Sequence, residues 1–259
     1  MLTIAGFDPS GGAGIIADVR TIVQFGCRPV AAITSLTFQN SDDVFGATHE
    51  SAKSLRAQII PIVEEHKVDA VKVGMLPTAE LIVEVAALIS EGRLPPPVLD
   101  PVLKSSSGYE LMERDAVEVL KRELLPLARV ITPNIPEAEK LTATTISNEQ
   151  EMGEVAAKLR ALGARAVLIK GGHGKWVSGA GSQESGQRDA VDLLDDAGEV
   201  TILRGDWIDM PPVRGTGCLL SSAIAACLAT GADLKAATAS AKKFVANEIQ
   251  NSKFKNQNQ

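Results

Sequence analysis

The chain has 259 residues, with 26 Lys and Arg against 32 Asp and Glu, a net charge of −6, and 45% hydrophobic side chains. That length suits one large α/β domain over 1–259 with no linker to divide it. The acidic balance without a basic stripe, and only 3% aromatics, argue against a nucleic-acid partner.

In chain order, the sequence predicts a strand over 2–5, a helix over 15–24 ending at Gly26, and a near-continuous apolar strand over 30–36, as in a buried parallel sheet. Ser51 is placed to cap a helix through Glu65, and Thr78 a helix to about residue 90, with a strand over 69–73 between them. Pro95, Pro96 and Pro97 make a stiff turn before a strand over 98–100. A helix over 114–125 and a strand over 129–132 follow, then a helix from Pro136 to Leu141. Asn148 caps a helix to Leu162 with Gly163 as its stop, and 166–170 is a strand. Residues 174–186, rich in Gly and Ser, read as a mobile lid. Strands over 190–194 and 199–203 form a hairpin through Asp196, Ala197 and Gly198. Helices over 216–230 and 234–250 close the chain, and 253–259 reads as a frayed polar tail. This alternation predicts an α/β fold, a mainly parallel sheet flanked by helices, with ligands beyond the carboxyl ends of the strands. The run 218–229 is too short to span a membrane, and no segment reads as a signal peptide. Cys27, Cys218 and Cys227 have neither zinc nor disulfide spacing, which points to a reducing cytoplasm.

Two glycine loops stand out. Arg214-Gly215-Thr216-Gly217-Cys218 opens onto an apolar helix. Free N–H groups and the helix dipole there suit a phosphate, and would lower the pKa of a thiol in the first turn. The alternative is a plain turn with Cys218 as a small buried hydrophobe. Asp8-Pro9-Ser10-Gly11-Gly12-Ala13-Gly14 lets a ligand approach the backbone but matches neither a P-loop nor a dinucleotide fingerprint. It is otherwise a tight strand–helix turn. Asp18 faces the ligand or suits the helix dipole. The Gln39 and Asn40 amides can read a heterocycle, or Asn40 can serve a turn. Met75 packs on a flat ring or in the core. Asp100 holds a metal-bound water or pairs with Lys104. Asn134 and Glu137, three apart at a helix start, are Mg²⁺ ligands or a capping box. Lys170, before Gly171 and Gly172, neutralises a phosphate or is a solvated surface charge.

In this order the motifs resemble the ribokinase-like small-molecule kinases, and within them the hydroxymethylpyrimidine/phosphomethylpyrimidine kinases of thiamine biosynthesis. The matching stretches run from Ala5-Gly6-Phe7-Asp8-Pro9-Ser10-Gly11-Gly12-Ala13-Gly14-Ile15-Ile16-Ala17-Asp18 through Phe38-Gln39-Asn40, Val73-Gly74-Met75 and Val98-Leu99-Asp100-Pro101-Val102 to Ile131-Thr132-Pro133-Asn134-Ile135-Pro136-Glu137, Lys170-Gly171-Gly172-His173 and Gly215-Thr216-Gly217-Cys218. The resemblance implies a three-layer α/β/α sandwich. It also implies ATP with Mg²⁺ and two successive phosphorylations, of an aminopyrimidine hydroxymethyl group and then of its monophosphate. It implies a homodimer, while the charge and the lack of an amphipathic basic helix disfavour a membrane or nucleic-acid partner. On it, Gly215, Thr216, Gly217 and Cys218 are catalytic, with Cys218 accepting the alcohol proton. Asp18, Gln39, Met75, Gly11 and Gly12 bind the pyrimidine. Thr132, Asn134, Lys170 and Thr216 bind ATP, and Glu137, Asn134 and Asp100 serve the metal.

Arg214 stands where relatives commonly carry His, Phe7 where many carry Ser or Thr, and Ser41 where Thr is common. A pyridoxal or pyridoxine kinase on the same fold is the nearest competing reading. A catalytically silent ligand-binding homologue is a remoter one, disfavoured by the intact Glu137, Lys170 and Cys218.

Overall fold

Strands that are apolar on both sides need helices on both faces of their sheet. The computed structural model, which describes residues 1–172, 189–206, 208 and 214–256, has that architecture. Among the described residues one sheet contains β1 (Leu2–Phe7), β2 (Val30–Gln39), β3 (Val44–His49), β4 (Val71–Val73), β5 (Val98–Leu99), β6 (Val130–Ile131), β7 (Ala166–Lys170), β8 (Asp189–Asp196) and β9 (Glu199–Asp206). Their spatial order is β3-β2-β1-β4-β5-β6-β7-β8-β9. The run from β2 to β7 is parallel, whereas β3, β8 and β9 pair antiparallel at the two edges.

The helices are α1 (Gly14–Gln24), α2 (Ala52–Glu65), α3 (Ala79–Ser90), α4 (Arg114–Val119), α5 (Ile135–Thr142), α6 (Glu149–Ala161), α7 (Thr216–Ala229) and α8 (Leu234–Asn256). Alternation along the strands sorts them into two layers. Leu99, Ile131, Val167 and Ile169 pack towards α2–α6. Val98, Val130, Ala166 and Leu168 pack towards α1, α7 and α8. The three-layer sandwich expected from the sequence is therefore present. From β1 the chain builds β2 and β3 on one side, then crosses to β4 on the other. The carboxyl ends of β1 and β4 thus border a switch-point crevice.

The predicted caps form: Ser51, Thr78 and Asn148 accept from the N–H groups of Ser54, Leu81 and Glu151, each contributing about 1 kcal/mol. Strand β3 has no counterpart in the sequence reading, because Asp42, Asp43 and Gly46 break the apolar pattern. Its pairing with Ser35–Gln39 prolongs β2 through Gln39, so Phe38 and Gln39 belong to the strand and not to the loop after it. The predicted helix over 114–125 is α-helical only to Val119, then passes through a π stretch, Leu120–Leu124, into a 3₁₀ turn, Leu125–Leu127. Pro126, which lacks an N–H, sits in that last turn. Helix α8 continues to Asn256, so the polar tail is helical through most of the stretch expected to fray. The expected lid, 174–186, and the last three residues lie outside the described residues.

Candidate active site

Two glycine loops interlock at the crevice. Asp8, 3% exposed, folds the first by accepting from Ser10 N (2.8 Å), Ser10 Oγ (2.7 Å) and Ala13 N (2.9 Å). Burial works to raise its pKa, but hydrogen bonds from the Ser10 and Gln39 side chains and from these N–H groups hold it below the usual value. Gly14 has φ +56°, and a Cβ there would lie 2.2 Å from the Gly6 carbonyl oxygen. Gly215, with φ +77°, caps α7, and a Cβ there would lie 2.1 Å from the Gly12 carbonyl oxygen. Only glycine allows these approaches. The loops meet backbone to backbone, bringing the N-termini of α1 and α7 to one place. The amides of Thr216, Gly217 and Cys218 are first-turn donors without intrahelical acceptors, an anion cradle.

Cys218 lies in that first turn, with the Gly14 N–H close enough to influence its thiol. The expectation that the helix terminus lowers its pKa is overturned. Burial pushes the thiol up to about 11, Asp18 and Asp100 adding to the rise against the Lys72 ammonium and the Gly14 N–H. Removing a thiolate from water costs more here than the dipole returns.

A second cluster joins the ends of β5, β6 and β7. Lys170 Nζ donates to Asp100 Oδ1 at 2.8 Å, and Ser221 Oγ to Asp100 Oδ2 at 3.3 Å. Asp100 therefore pairs with Lys170, not with Lys104, which meets Glu110 at 2.7 Å. Asp100 is thus the counter-charge of Lys170 through Oδ1, while the Ser221 hydroxyl near Oδ2 has a shorter acceptor in the Gly217 carbonyl, at 2.9 Å. Burial opposes its ionisation, but Lys170 and Lys72 outweigh it and keep its pKa low. Thr132, expected on the nucleotide, is fully buried, its one hydroxyl proton shared between Asp100 Oδ1 at 3.3 Å and the Leu99 carbonyl at 3.5 Å, and so supports Asp100 from below.

Asn134 and Glu137 do form a capping box: Asn134 Oδ1 accepts from Glu137 N at 2.9 Å and Glu137 Oε2 from Asn134 N at 2.8 Å. The Asn134 oxygen is thus committed to the cap rather than to a metal. Burial raises the Glu137 carboxyl to about 7, Asp100 adding to the rise against Lys170 and the N–H groups of Asn134 and Leu103.

The expected substrate residues divide. Gln39 lines a cleft of about 1230 Å³, together with Ala13, Asp100, Asn134, Glu137, Lys170 and residues 214–218. Gly11 and Gly12 belong to the first loop, of which Ala13 lines the cleft. Met75, 7% exposed, sets its sulfur against Gly6, where a Cβ would lie 2.8 Å away. Asp18 is a correction. Its carboxylate is fully buried, accepting from Lys72 Nζ (2.8 and 3.0 Å), Thr3 Oγ1 (2.6 Å) and Ser222 Oγ (2.8 Å). Asp18 holds the floor of the site instead of touching a ligand. Asp8 and Lys72 join the site although neither is among the residues expected there from sequence. A lysine inside the apolar strand Val71–Val73 was the available signal, because a buried ammonium needs a partner.

A sheet of this order between two helical layers, with an anion cradle beyond its strand ends, is the arrangement of the ribokinase-like small-molecule kinases. Residues 8–259 match the phosphomethylpyrimidine kinase family, and the chain belongs to it. It is a phosphotransferase. The hydroxymethylpyrimidine/phosphomethylpyrimidine kinase of Streptomyces coelicolor is 41% identical over 96% of this chain and 88% of that protein. A crystal structure of phosphomethylpyrimidine kinase from Clostridium difficile 630 is 36% identical, covers 96% of this chain and 98% of that one, and superposes with a TM-score of 0.80. An ADP complex of Bacillus subtilis pyridoxal kinase is 37% identical over 94% of this chain and 88% of that one, with a TM-score of 0.81. The chain spans about half the length, 49%, of a bifunctional thiamine-biosynthesis protein of Geobacter sulfurreducens to which it is 42% identical.

Proposed function

We propose that the chain transfers the γ-phosphoryl group of ATP to the hydroxymethyl group of 4-amino-5-hydroxymethyl-2-methylpyrimidine, and then to the resulting monophosphate. The observation that carries this reading is the interlocking of the two glycine loops around Cys218. It aims two helix N-termini at one point between Gln39 on one side and Asp100, Lys170 and Glu137 on the other. Phosphoryl transfer needs positioning and charge neutralisation more than covalent chemistry. The amides of Thr216, Gly217 and Cys218 hold the transferring oxygens. Lys170 and the Asn134 amide face the nucleotide phosphates. Gln39 reads the pyrimidine edge, Met75 backs the ring pocket, and Cys218 accepts the hydroxyl proton.

Glu137 fits a hydrated divalent cation: it is buried, it has backbone donors but no ion pair among the described residues, and burial holds back its ionisation. Glu137 would hold Mg²⁺ through water, and the bound ion would neutralise the nucleotide phosphates. Glu137→Gln preserves the capping box yet should raise the Mg²⁺ concentration for half-maximal rate by roughly tenfold. A magnesium titration at fixed ATP checks this, and an unchanged curve would leave Glu137 as a helix cap only.

The reading includes a homodimer in the cytoplasm. Leu36, Phe38 and Phe45, exposed on the β2–β3 hairpin, support an apolar contact between copies. A pyridoxal kinase is the second reading, favoured by the likeness to the Bacillus subtilis pyridoxal kinase. An ATP-consumption assay with hydroxymethylpyrimidine, its monophosphate and pyridoxal in parallel tests both. Turnover of both pyrimidines supports the proposal, whereas turnover of pyridoxal alone replaces it with the second reading.

A further inference from the structure

The second transfer poses a charge problem that the first does not. Its acceptor is a phosphate monoester, close to a dianion above a pKa of about 6, entering a cleft already walled by Asp100 and Glu137. Of the cations on that wall, Lys104, Lys170, Arg204 and Lys242 meet Glu110, Asp100, Glu149 and Asp192 respectively. Lys243 is an exposed residue of α8. Arg214 is different. It is half-buried, immediately precedes the cradle, and lines the cleft with Gln39 and Ala13. No carboxylate forms an ion pair with it among the described residues. One guanidinium nitrogen, Nη1, donates to the Asn40 carbonyl. That anchor ties the side chain to the residue after Gln39, at the end of β2.

Resting on the function proposed above, we infer that Arg214 binds the ester phosphate of the monophosphate and so determines specificity for the second phosphorylation. A guanidinium anchored through one nitrogen keeps further donors in a planar fork suited to phosphate oxygens. In that transfer an ester-phosphate oxygen forms a bond to the γ-phosphorus with its own electron pair. The bond from the γ-phosphorus to the β,γ-bridging oxygen breaks, and ADP leaves with those electrons. No hydroxyl proton has to be removed. Arg214 holds the attacking phosphate beside the cradle and offsets its charge.

The test is the ratio of kcat/KM for the monophosphate to that for hydroxymethylpyrimidine. Arg214→Gln should lower this ratio roughly tenfold to a hundredfold, the range for one charged hydrogen-bonding partner. Arg214→Lys should recover part of it. Calorimetric binding of the monophosphate without nucleotide should weaken more than binding of hydroxymethylpyrimidine. Equal losses for both pyrimidines would overturn the inference, reducing Arg214 to a strut between the cradle and Asn40, while the proposed function would stand. If the unaltered chain turned over neither pyrimidine, the proposed function would fail and this inference with it.

Discussion

Cys218→Ala is expected to cut turnover of hydroxymethylpyrimidine by roughly 10²–10⁴-fold, the usual range for a lost general base, with the KM for ATP little changed. The same variant should cost the second phosphorylation far less, because a phosphate oxygen attacks with no proton to give up. The two steps therefore separate a proton-accepting role from a structural one. The pH dependence sharpens the separation. With burial holding the thiol near 11, roughly one molecule in a thousand carries a thiolate at pH 8. That fraction grows about tenfold for each pH unit below the pKa. The first-step rate should climb accordingly between pH 7 and 10, while the second-step rate stays level once its acceptor is a dianion. A first-step rate that is flat across that range, or equal losses in both steps for the alanine variant, would remove Cys218 as the base and leave its amide in the cradle. The strength of a base rises with its pKa, so a scarce thiolate is still an effective acceptor. The loose transition state asks for proton removal only late in the transfer.

What the sequence reveals of this protein is what local chemistry dictates. Ser51, Thr78 and Asn148 are legible as caps because each cap bond spans three residues. Strand β7 appears with the predicted limits, 166–170, because Ala-Val-Leu-Ile packs both faces of the sheet. The Asn134 and Glu137 spacing reads equally well as cap or ligand, and the structure shows the cap while burying the carboxylate that a cation would need. The misreadings share a cause, which is distance along the chain. Asp18 looks like a first-turn acid until Lys72, 54 residues on, and Ser222, 204 residues on, arrive against it. Cys218 looks activated when only its own helix is considered. Its acidic neighbours, Asp18 of α1 and Asp100 just after β5, come from elsewhere in the chain. Strand β3 exists because the edge of β2 offers it hydrogen bonds, not because 44–49 is apolar.

The largest stability effect is expected at the floor of the site. Lys72→Met should lower unfolding free energy by about 3–5 kcal/mol, the cost of leaving one member of a buried ion pair without its partner. For a chain of this size that corresponds to a fall in Tm of roughly 6–20 °C. The Asp18 carboxylate, fully buried, would keep only the hydroxyls of Thr3 and Ser222. Burial by itself would lower the Lys72 pKa, but the negative charge of Asp18, with Cys218 and Asp100, raises it above the ordinary value. A lysine pKa raised on folding stabilises at every pH below the unfolded value of about 10.4, and that contribution is lost only as pH climbs through the folded pKa. The contribution of Lys72 to the parent should accordingly be the same at pH 6 and pH 9. Adding Asp18→Leu removes the stranded charge and should restore at least half of the loss, since apolar replacement of a buried pair is often close to neutral. Urea unfolding of the two variants and the parent measures this directly. A single variant within about 1 kcal/mol of the parent would mean that water reaches the pair. Ser222 and Cys218 stand one turn apart on one face of α7, so the pair that supports the fold also sets where the cradle begins. In the double variant, recovered stability with persistently poor turnover would trace that link from Lys72 through α7 to the reacting phosphoryl group.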